Sequence, residues 1–364
     1  MAARPAQICI MLLSPAAMRP GVLVAASALG LIASSIVNTQ RLADIEYRVA
    51  FAPAAQLERR LDELARDGFA CVTLARPEPG SNVTGVAVIL ARSAASTSSA
   101  HRVLIGGRDD LKTPLTTNGA DGFRLCGVIL DEEPPSPRAV AVMTRTDAAS
   151  WQYDVEVLLR YKESLTRLNT IGRDGFTPVA AAPIDNNRIP DQRNWMVVVE
   201  RPSSGGSPRE VVVRSDPGPA GLARNLNESG KQGFRLDLAW KEGNDYVAML
   251  SRASGGSSTP HTYAVDGDAP NGVHALGRLA LADFPYLSRR LFVMDADVRA
   301  SNELVEETLP SISRSGVVEG SGRAMLDTIG DHLSRNRGFQ VAYARVGRKG
   351  SGGFVLGVMM AKKD

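Results

Sequence analysis

Aromatic side chains make up only 5% of this 364-residue chain, and no run of lysine or arginine exceeds two. With a net charge of +3, that argues against the basic stripe interleaved with aromatics that nucleic acid requires. Histidine is rarer still. The four, His101, His261, His274 and His332, have no HExxH spacing and no neighbouring His or Cys to complete a metal site. Of the three cysteines, Cys9, Cys71 and Cys126, none has a CxxC partner, so redox catalysis lacks its usual residues. G-x-S-x-G is absent, and Ser321 in EGSGR has no identifiable base, so nucleophilic hydrolysis is unsupported. No cofactor motif remains once Gly347, Gly350, Gly352 and Gly353 are read as a loop joining two strands rather than opening a helix.

Long apolar runs are missing as well, with one exception. Gly21 to Val37 is uncharged and apolar, preceded by Arg19-Pro20 and followed by Asn38-Thr39-Gln40-Arg41. Its length is at the lower edge of a bilayer span, and Ala33-Ser34-Ser35 offers a peptidase site. Residues 1–37 are therefore expected to be a signal peptide, the alternative being an N-terminal anchor, and a start at Met18 would place a short basic lead before the run. A periplasmic or secreted location follows. Export makes a Cys71–Cys126 disulfide conceivable. However, Cys71 stands two residues after a Phe and Cys126 three after another, on opposite faces of a regularly alternating strand, so two separate thiols are expected.

What the chain has in plenty is repetition. A turn residue followed by Phe recurs at Gly68-Phe69, Gly122-Phe123, Gly175-Phe176, Gly233-Phe234, Asp283-Phe284 and Gly338-Phe339, a period of roughly 55 residues. Upstream of these turns, apolar residues fall at helical spacing, as in Leu57, Leu61 and Leu64, Leu111 and Leu115, Leu165, Leu168 and Ile171, Leu222 and Leu226, and Leu276 and Leu279. After each Phe the pattern alternates as a strand does, and a polar loop leads to a second apolar strand. Four of these end in Arg92, Arg145, Arg201 and Arg252. A strand also precedes each helix, so the unit reads βαββ. The predicted fold is α+β: about six tandem repeats, antiparallel sheets each covered by a helix, with units paired to share cores. The repeats are placed at 44–93, 100–146, 151–202, 209–253, 260–299 and 302–364, the fifth being atypical.

The stretches LNTIGRDGF at Leu168 to Phe176 and LNESGKQGFRLDLAW at Leu226 to Trp240 carry a signature. They resemble a family of small bacterial βαββ domains of unknown function with the pattern Leu-Asn-x-x-Gly-x-x-Gly-Trp-Glu-Leu, closed by a strand ending in Lys or Arg before Pro. Gly172, Gly175, Arg201 and Pro202, and Gly230, Gly233 and Arg252, sit on that pattern, with Phe where the family has Trp. The resemblance implies the βαββ fold and no activity.

Asp295 and Asp297 form a D-x-D, and DGDAPNG from Asp266 to Gly272 resembles a calcium loop without its closing Glu, so a turn is the plainer account. The repeated arginines read as solvated strand ends, or else as a row of cations for an anionic or peptide partner. The functional expectation is an exported, non-catalytic binding or structural module whose partner is a protein or cell-envelope component. Two alternatives stand beside it: an exported enzyme with a site near His261, His274 and Asp266, and an inhibitor of a secreted enzyme presenting an apolar patch.

Overall fold

The computed structural model describes residues 45–363 apart from 78–84, 93–98, 132–137, 146–148, 159–160, 184–194, 243–244, 256–259, 262, 267–273, 276–279, 284–289, 296–298, 311–320, 336–339 and 349–353. The expected leader, Leu276, Leu279, Phe284, Asp297, Gly338, Phe339, most of the 266–272 stretch, and Gly350, Gly352 and Gly353 lie outside the described residues.

Four consecutive segments run strand, helix, strand, strand. The first has β1 (Glu46–Ala52), α1 (Ala54–Arg66), β2 (Ala70–Leu74), a two-residue β3 (Arg76–Pro77) and β4 (Val86–Arg92). The second has β5 (Ala100–Gly106), α2 (Arg108–Ala120), β6 (Arg124–Asp131) and β7 (Arg138–Arg145). The third has β8 (Trp151–Leu158), α3 (Tyr161–Arg173), β9 (Thr177–Pro183) and β10 (Trp195–Pro202), and the fourth β11 (Arg209–Asp216), α4 (Pro219–Lys231), β12 (Arg235–Glu242) and β13 (Asp245–Ala253). A fifth segment is described as strands: β14 (Tyr263–Asp266), β15 (His274–Ala275), β16 (Ala280–Asp283) and β17 (Arg290–Asp295). The last has β18 (Arg299–Thr308), α5 (Ser321–Arg335), β19 (Gln340–Arg348) and β20 (Phe354–Lys363). The architecture is α+β. In each of the first five sheets the last strand of the segment lies in the middle, as in β1-β4-β2, and pairing is antiparallel. The sixth sheet runs β15-β18-β20-β19-β3, so a short strand from the fifth segment and another from the first flank the last.

The middle strands correct the expectation of sheets covered on one face with units in pairs. Ala87 and Ile89 of β4 enter one core, while Val86, Val88 and Leu90 enter another. The same division splits Val140 and Val142 from Ala139, Ala141 and Met143 in β7, Met196 and Val198 from Val197 and Val199 in β10, and Val247 and Met249 from Ala248 and Leu250 in β13. Burial on both faces is why these strands read as unbroken apolar runs rather than alternating ones. Four of the five cores draw on two successive segments. One core joins the end of the chain to its beginning: Leu326, Ile329 and Leu333 of α5 pack with Tyr47, Val49 and Phe51 of β1. There the Tyr47 amide donates to Ser334 Oγ at 2.8 Å, and Arg48 meets Asp331 at 3.0 Å.

A further regularity appears three residues after five of the six expected Phe positions, 69, 123, 176, 234 and 339. The ladders slip at Val72, Cys126, Val179, Asp237 and Ala342, each the additional residue of a β-bulge. That overturns the expectation of two separate thiols. Cys71 and Cys126 form a disulfide, with Cα atoms 6.1 Å apart, well within bridging range. The alternation that set the cysteines on opposite faces holds only in an uninterrupted strand, and Cys126 is itself the bulged residue.

Candidate functional site

The four described Gly-Phe turns share one geometry. Gly68, Gly122, Gly175 and Gly233 have φ between 80° and 87°, which glycine adopts without strain at a helix end. The Phe amide donates to the carbonyl five residues back in the helix, Phe69 to Leu64 and Phe234 to Ser229 at 3.2 Å, and the Gly amide closes the inner bond, as from Gly233 to Gly230 at 2.8 Å. This is a Schellman cap. The repeated arginines complete it. Arg92 donates to the Asp67 carbonyl and Arg252 to that of Gln232, both at 2.8 Å, and Arg201 donates to that of Asp174. Their guanidinium groups lie over Phe69, Phe234 and Phe176 at 4.7, 4.4 and 4.4 Å from the ring centroids. Arg92 and Arg252 also pair with Glu46 and Glu210 across the sheet, and Arg201 with Gln152. These three cations thus hold internal partners at a helix end that favours positive charge. Arg145 lies over Phe123 at 5.1 Å, but its cross-strand neighbour is Ala100, whose side chain offers it no acceptor.

Between successive segments the helix of one packs on the first strand of the next. At each such joint a polar side chain on the helix takes a backbone group of that strand. Glu58 accepts from the Val103 amide at 2.8 Å, and Thr116 donates to the Tyr153 carbonyl at 3.1 Å. Asn169 accepts from Val211 at 3.0 Å, and Asn227 both accepts from and donates to Tyr263 at 2.8 Å. The Asn of the Leu-Asn-x-x-Gly signature is therefore a connector, occupying an edge strand's free amide. The Gly of the signature lets that strand approach: a Cβ at Gly119 would stand 2.5 Å from the Trp151 carbonyl, and one at Gly172 2.7 Å from that of Arg209. In the last segment Gly330 meets Tyr47 the same way.

One position on each incoming strand turns toward the preceding segment. It lies opposite the residue just before the repeated Arg, and is Tyr47, His101, Tyr153 and Val211 in turn, with Tyr263 equivalent by its place beside Gly230. The Tyr153 hydroxyl accepts from the Leu125 amide at 2.8 Å and donates to Glu200 at 3.2 Å. Buried Glu200 in turn accepts two bonds from Arg124, which stacks over Trp151. Burial, and then the Glu200 carboxylate, push the Tyr153 hydroxyl pKa up, so it stays protonated. Tyr263 repeats the arrangement, accepting from Leu236 at 2.9 Å and donating to Phe234 at 3.0 Å. Leu125 and Leu236 immediately precede the bulged residues.

The joint between the first two segments differs. His101 is fully buried, and neither ring nitrogen has a hydrogen-bond partner among the described residues; the Thr144 hydroxyl across the ladder is likewise without one. Burial pulls the His101 pKa down to about 4; the Asp62 carboxylate and the Leu61 backbone, close enough to act but outside good hydrogen-bond geometry, pull the other way. The disulfide closes the same joint.

Neither a protein-family model nor a curated protein sequence matches this chain.

The other sequence-singled residues are dispersed. His261 opens the approach to β14, its amide donating to Gly230 at 2.9 Å. His274 pairs with Ala300 in the flanking strand, and His332 lies on the exposed side of α5. Asp266, Asp283 and Asp295 end β14, β16 and β17, and Ser321 begins α5. No group of three metal-ligating side chains occurs among the described residues, and the large apolar side chains exposed among them are Val72 and Met325. No described helix is long and apolar enough to cross a membrane. Sequence reasoning missed the joints: the polar residues at helical spacing and the bulges were the available signals.

Proposed function

We propose that the chain is an exported, non-catalytic repeat protein, a scaffold of six divergent βαββ units that succeed one another and close last on first. Its kinship would be with the small bacterial domains that share the Leu-Asn-x-x-Gly signature, and its partner a protein or cell-envelope component outside the cytoplasm.

The observation that carries this reading is the occupation of its repeated polar side chains. Asn169, Asn227, Thr116, Glu58 and Ser334 bond to a neighbouring segment's backbone, and Glu200, Tyr153 and Arg124 bond to one another across a joint. Such groups hold a scaffold together rather than turn over a substrate. The Cys71–Cys126 bond supports export, since structural disulfides persist in oxidising compartments.

The test is fractionation of a host expressing the full chain, with N-terminal peptide mapping and a non-reducing digest of the recovered protein. The expected result is a mature protein starting after the Gly21–Val37 run, outside the cytoplasm, with residues 71 and 126 in one linked peptide. Recovery from the cytoplasm with both thiols free would overturn export. Turnover in a hydrolase screen, lost in His261→Ala or His274→Ala, would overturn the non-catalytic reading.

A further inference from the structure

The joint between the first two segments stands apart in three ways that meet at one place. Where Tyr153 and Tyr263 anchor their hydroxyls at the preceding segment's bulge, this joint carries a shorter imidazole without hydrogen-bond partners among the described residues. Across the ladder from it stands Thr144, 8% exposed and equally unpartnered among them, where the next segment has the bonded Glu200. A covalent bond, Cys71–Cys126, spans the same core, which also holds α1, Val103, Ile105, Val140 and Val142.

We propose that this joint is an acid-sensitive seam restrained by the disulfide: protonation of His101 favours separation of β5 from α1, and the Cys71–Cys126 bond keeps the two segments together while it does so. This goes beyond the scaffold reading and does not depend on the protein's location or partner.

The physical basis is the cost of charging a group where water cannot reach it. Of the charged groups on the elements packed against His101, which are Glu58, Arg59, Arg60, Asp62, Glu63 and Arg66 of α1, Arg102 on its own strand and Arg138 and Arg145 on β7, the Asp62 carboxylate is the one that acts on the ring. Glu58 is already engaged by the Val103 amide and Arg102, and Arg145 lies over Phe123, which leaves Asp62 as the counter-charge. Asp62 does not offset burial, because the folded-state pKa falls from 6.5 to about 4. With the folded value lowered, the stability contributed by the neutral ring is fully present above pH 6.5 and is lost progressively as pH falls toward 4. Opening hydrates the ring and the Thr144 hydroxyl together. A cross-link confines the opened segments to each other's neighbourhood and so favours reclosure.

The test is hydrogen exchange by mass spectrometry on the full chain at pH 7 and pH 5, corrected for intrinsic rates, in oxidised protein and after reduction with a phosphine. In that reduction the phosphine gives two electrons to the S–S bond and takes the oxygen of a water molecule to become its oxide, while the two protons of that water complete the two thiols. The expectation is that in reduced protein the 100–106 peptide exchanges ~20-fold faster at pH 5 than at pH 7, while 151–158 is unchanged. Oxidised protein is expected to show a smaller change at 100–106. Reduced His101→Tyr, which installs the side chain found at Tyr47, Tyr153 and Tyr263, should keep its protection at pH 5. The proposal is overturned if reduced wild type keeps 100–106 protected at pH 5, if it loses 151–158 in step, or if His101→Tyr opens as readily as wild type.

Discussion

The first two joints of this chain use the same backbone plan with different chemistry. Between the second and third segments, Tyr153, Glu200 and Arg124 form a chain of hydrogen bonds that ends in a cation over Trp151, and Gly119 lets Trp151 come close. Between the first and second, the equivalent of Tyr153 is His101, the equivalent of Glu200 is Thr144, and Ala65 stands where Gly119 would. Polar satisfaction is traded for a disulfide. A buried network adds specificity only when each member is bonded, and a partly bonded one is costly. The comparison therefore teaches that a repeat fold can keep one joint geometry while exchanging its fastening.

Removing the covalent fastening is the strongest way to break the comparison. Cys71 and Cys126 are 55 residues apart, and closing a loop of that size restricts the unfolded chain by about 4 kcal/mol in the loop-entropy account. Cys71→Ser with Cys126→Ser is expected to lower the unfolding free energy extrapolated from urea denaturation by about that much, with a matching fall in the midpoint. Retention of the wild-type midpoint would show that the first joint is held by its apolar core alone.

Next in size is Gly119→Ala in the second joint. The new Cβ would meet the Trp151 carbonyl at 2.5 Å and the Tyr153 ring at 2.8 Å, so β8 must retreat. Overpacking of this kind costs roughly 1–3 kcal/mol. The companion change, Ala65→Gly in the first joint, should cost only about 1 kcal/mol, the helix-propensity difference. Equal losses from the two would mean that the strands approach their helices equally closely and that the comparison is wrong.

Tyr153→Phe should cost about 1–3 kcal/mol, because the Leu125 amide loses its buried acceptor and Glu200 loses a donor. Tyr263→Phe, which releases Leu236, should match it. His101→Phe in the first joint is expected to be neutral or stabilising at pH 7 by denaturant titration, since no hydrogen bond to a described residue is lost and a buried polar group is removed.

Much of this was legible in residues and much was not. The Gly-Phe turns were visible because a left-handed cap and a buried Phe demand particular side chains, and Gly68, Gly122, Gly175 and Gly233 take positive φ at helix ends. The α+β class followed from apolar spacing. Bulges leave no such mark: Val72, Cys126, Val179, Asp237 and Ala342 have no shared chemistry, because an additional strand residue is selected by ladder geometry rather than by its side chain. The disulfide was hidden for that reason. The joints were half visible. Asn169 and Asn227 stood out as a signature, but their partners lie roughly forty residues downstream, and periodicity within one helix carries no information about a contact with the next segment.

The smallest effect separates the two segments at their caps. Arg252, 31% exposed, stacks on Phe234, donates to the Gln232 carbonyl and pairs with Glu210; among the described residues Arg145 has its place over Phe123 and no ion pair. Half-exposed cation–π contacts and ion pairs each contribute ~0.5–1 kcal/mol, so Arg252→Ala should cost about 1 kcal/mol and Arg145→Ala less. Arg252→Lys keeps the charge but loses the planar fork that bonds Glu210 through two nitrogens while stacking, and should recover little of the loss. Salt distinguishes the components: screening weakens the Glu210 pair, while stacking and the carbonyl bond persist. Denaturation of the Ala variants at low and high ionic strength should therefore show the Arg252 effect shrinking with salt and the Arg145 effect holding steady. If both respond alike, the repeated arginine acts as a bare charge at the helix end in each segment, and the cap rather than the ion pair is the feature that the repeats share.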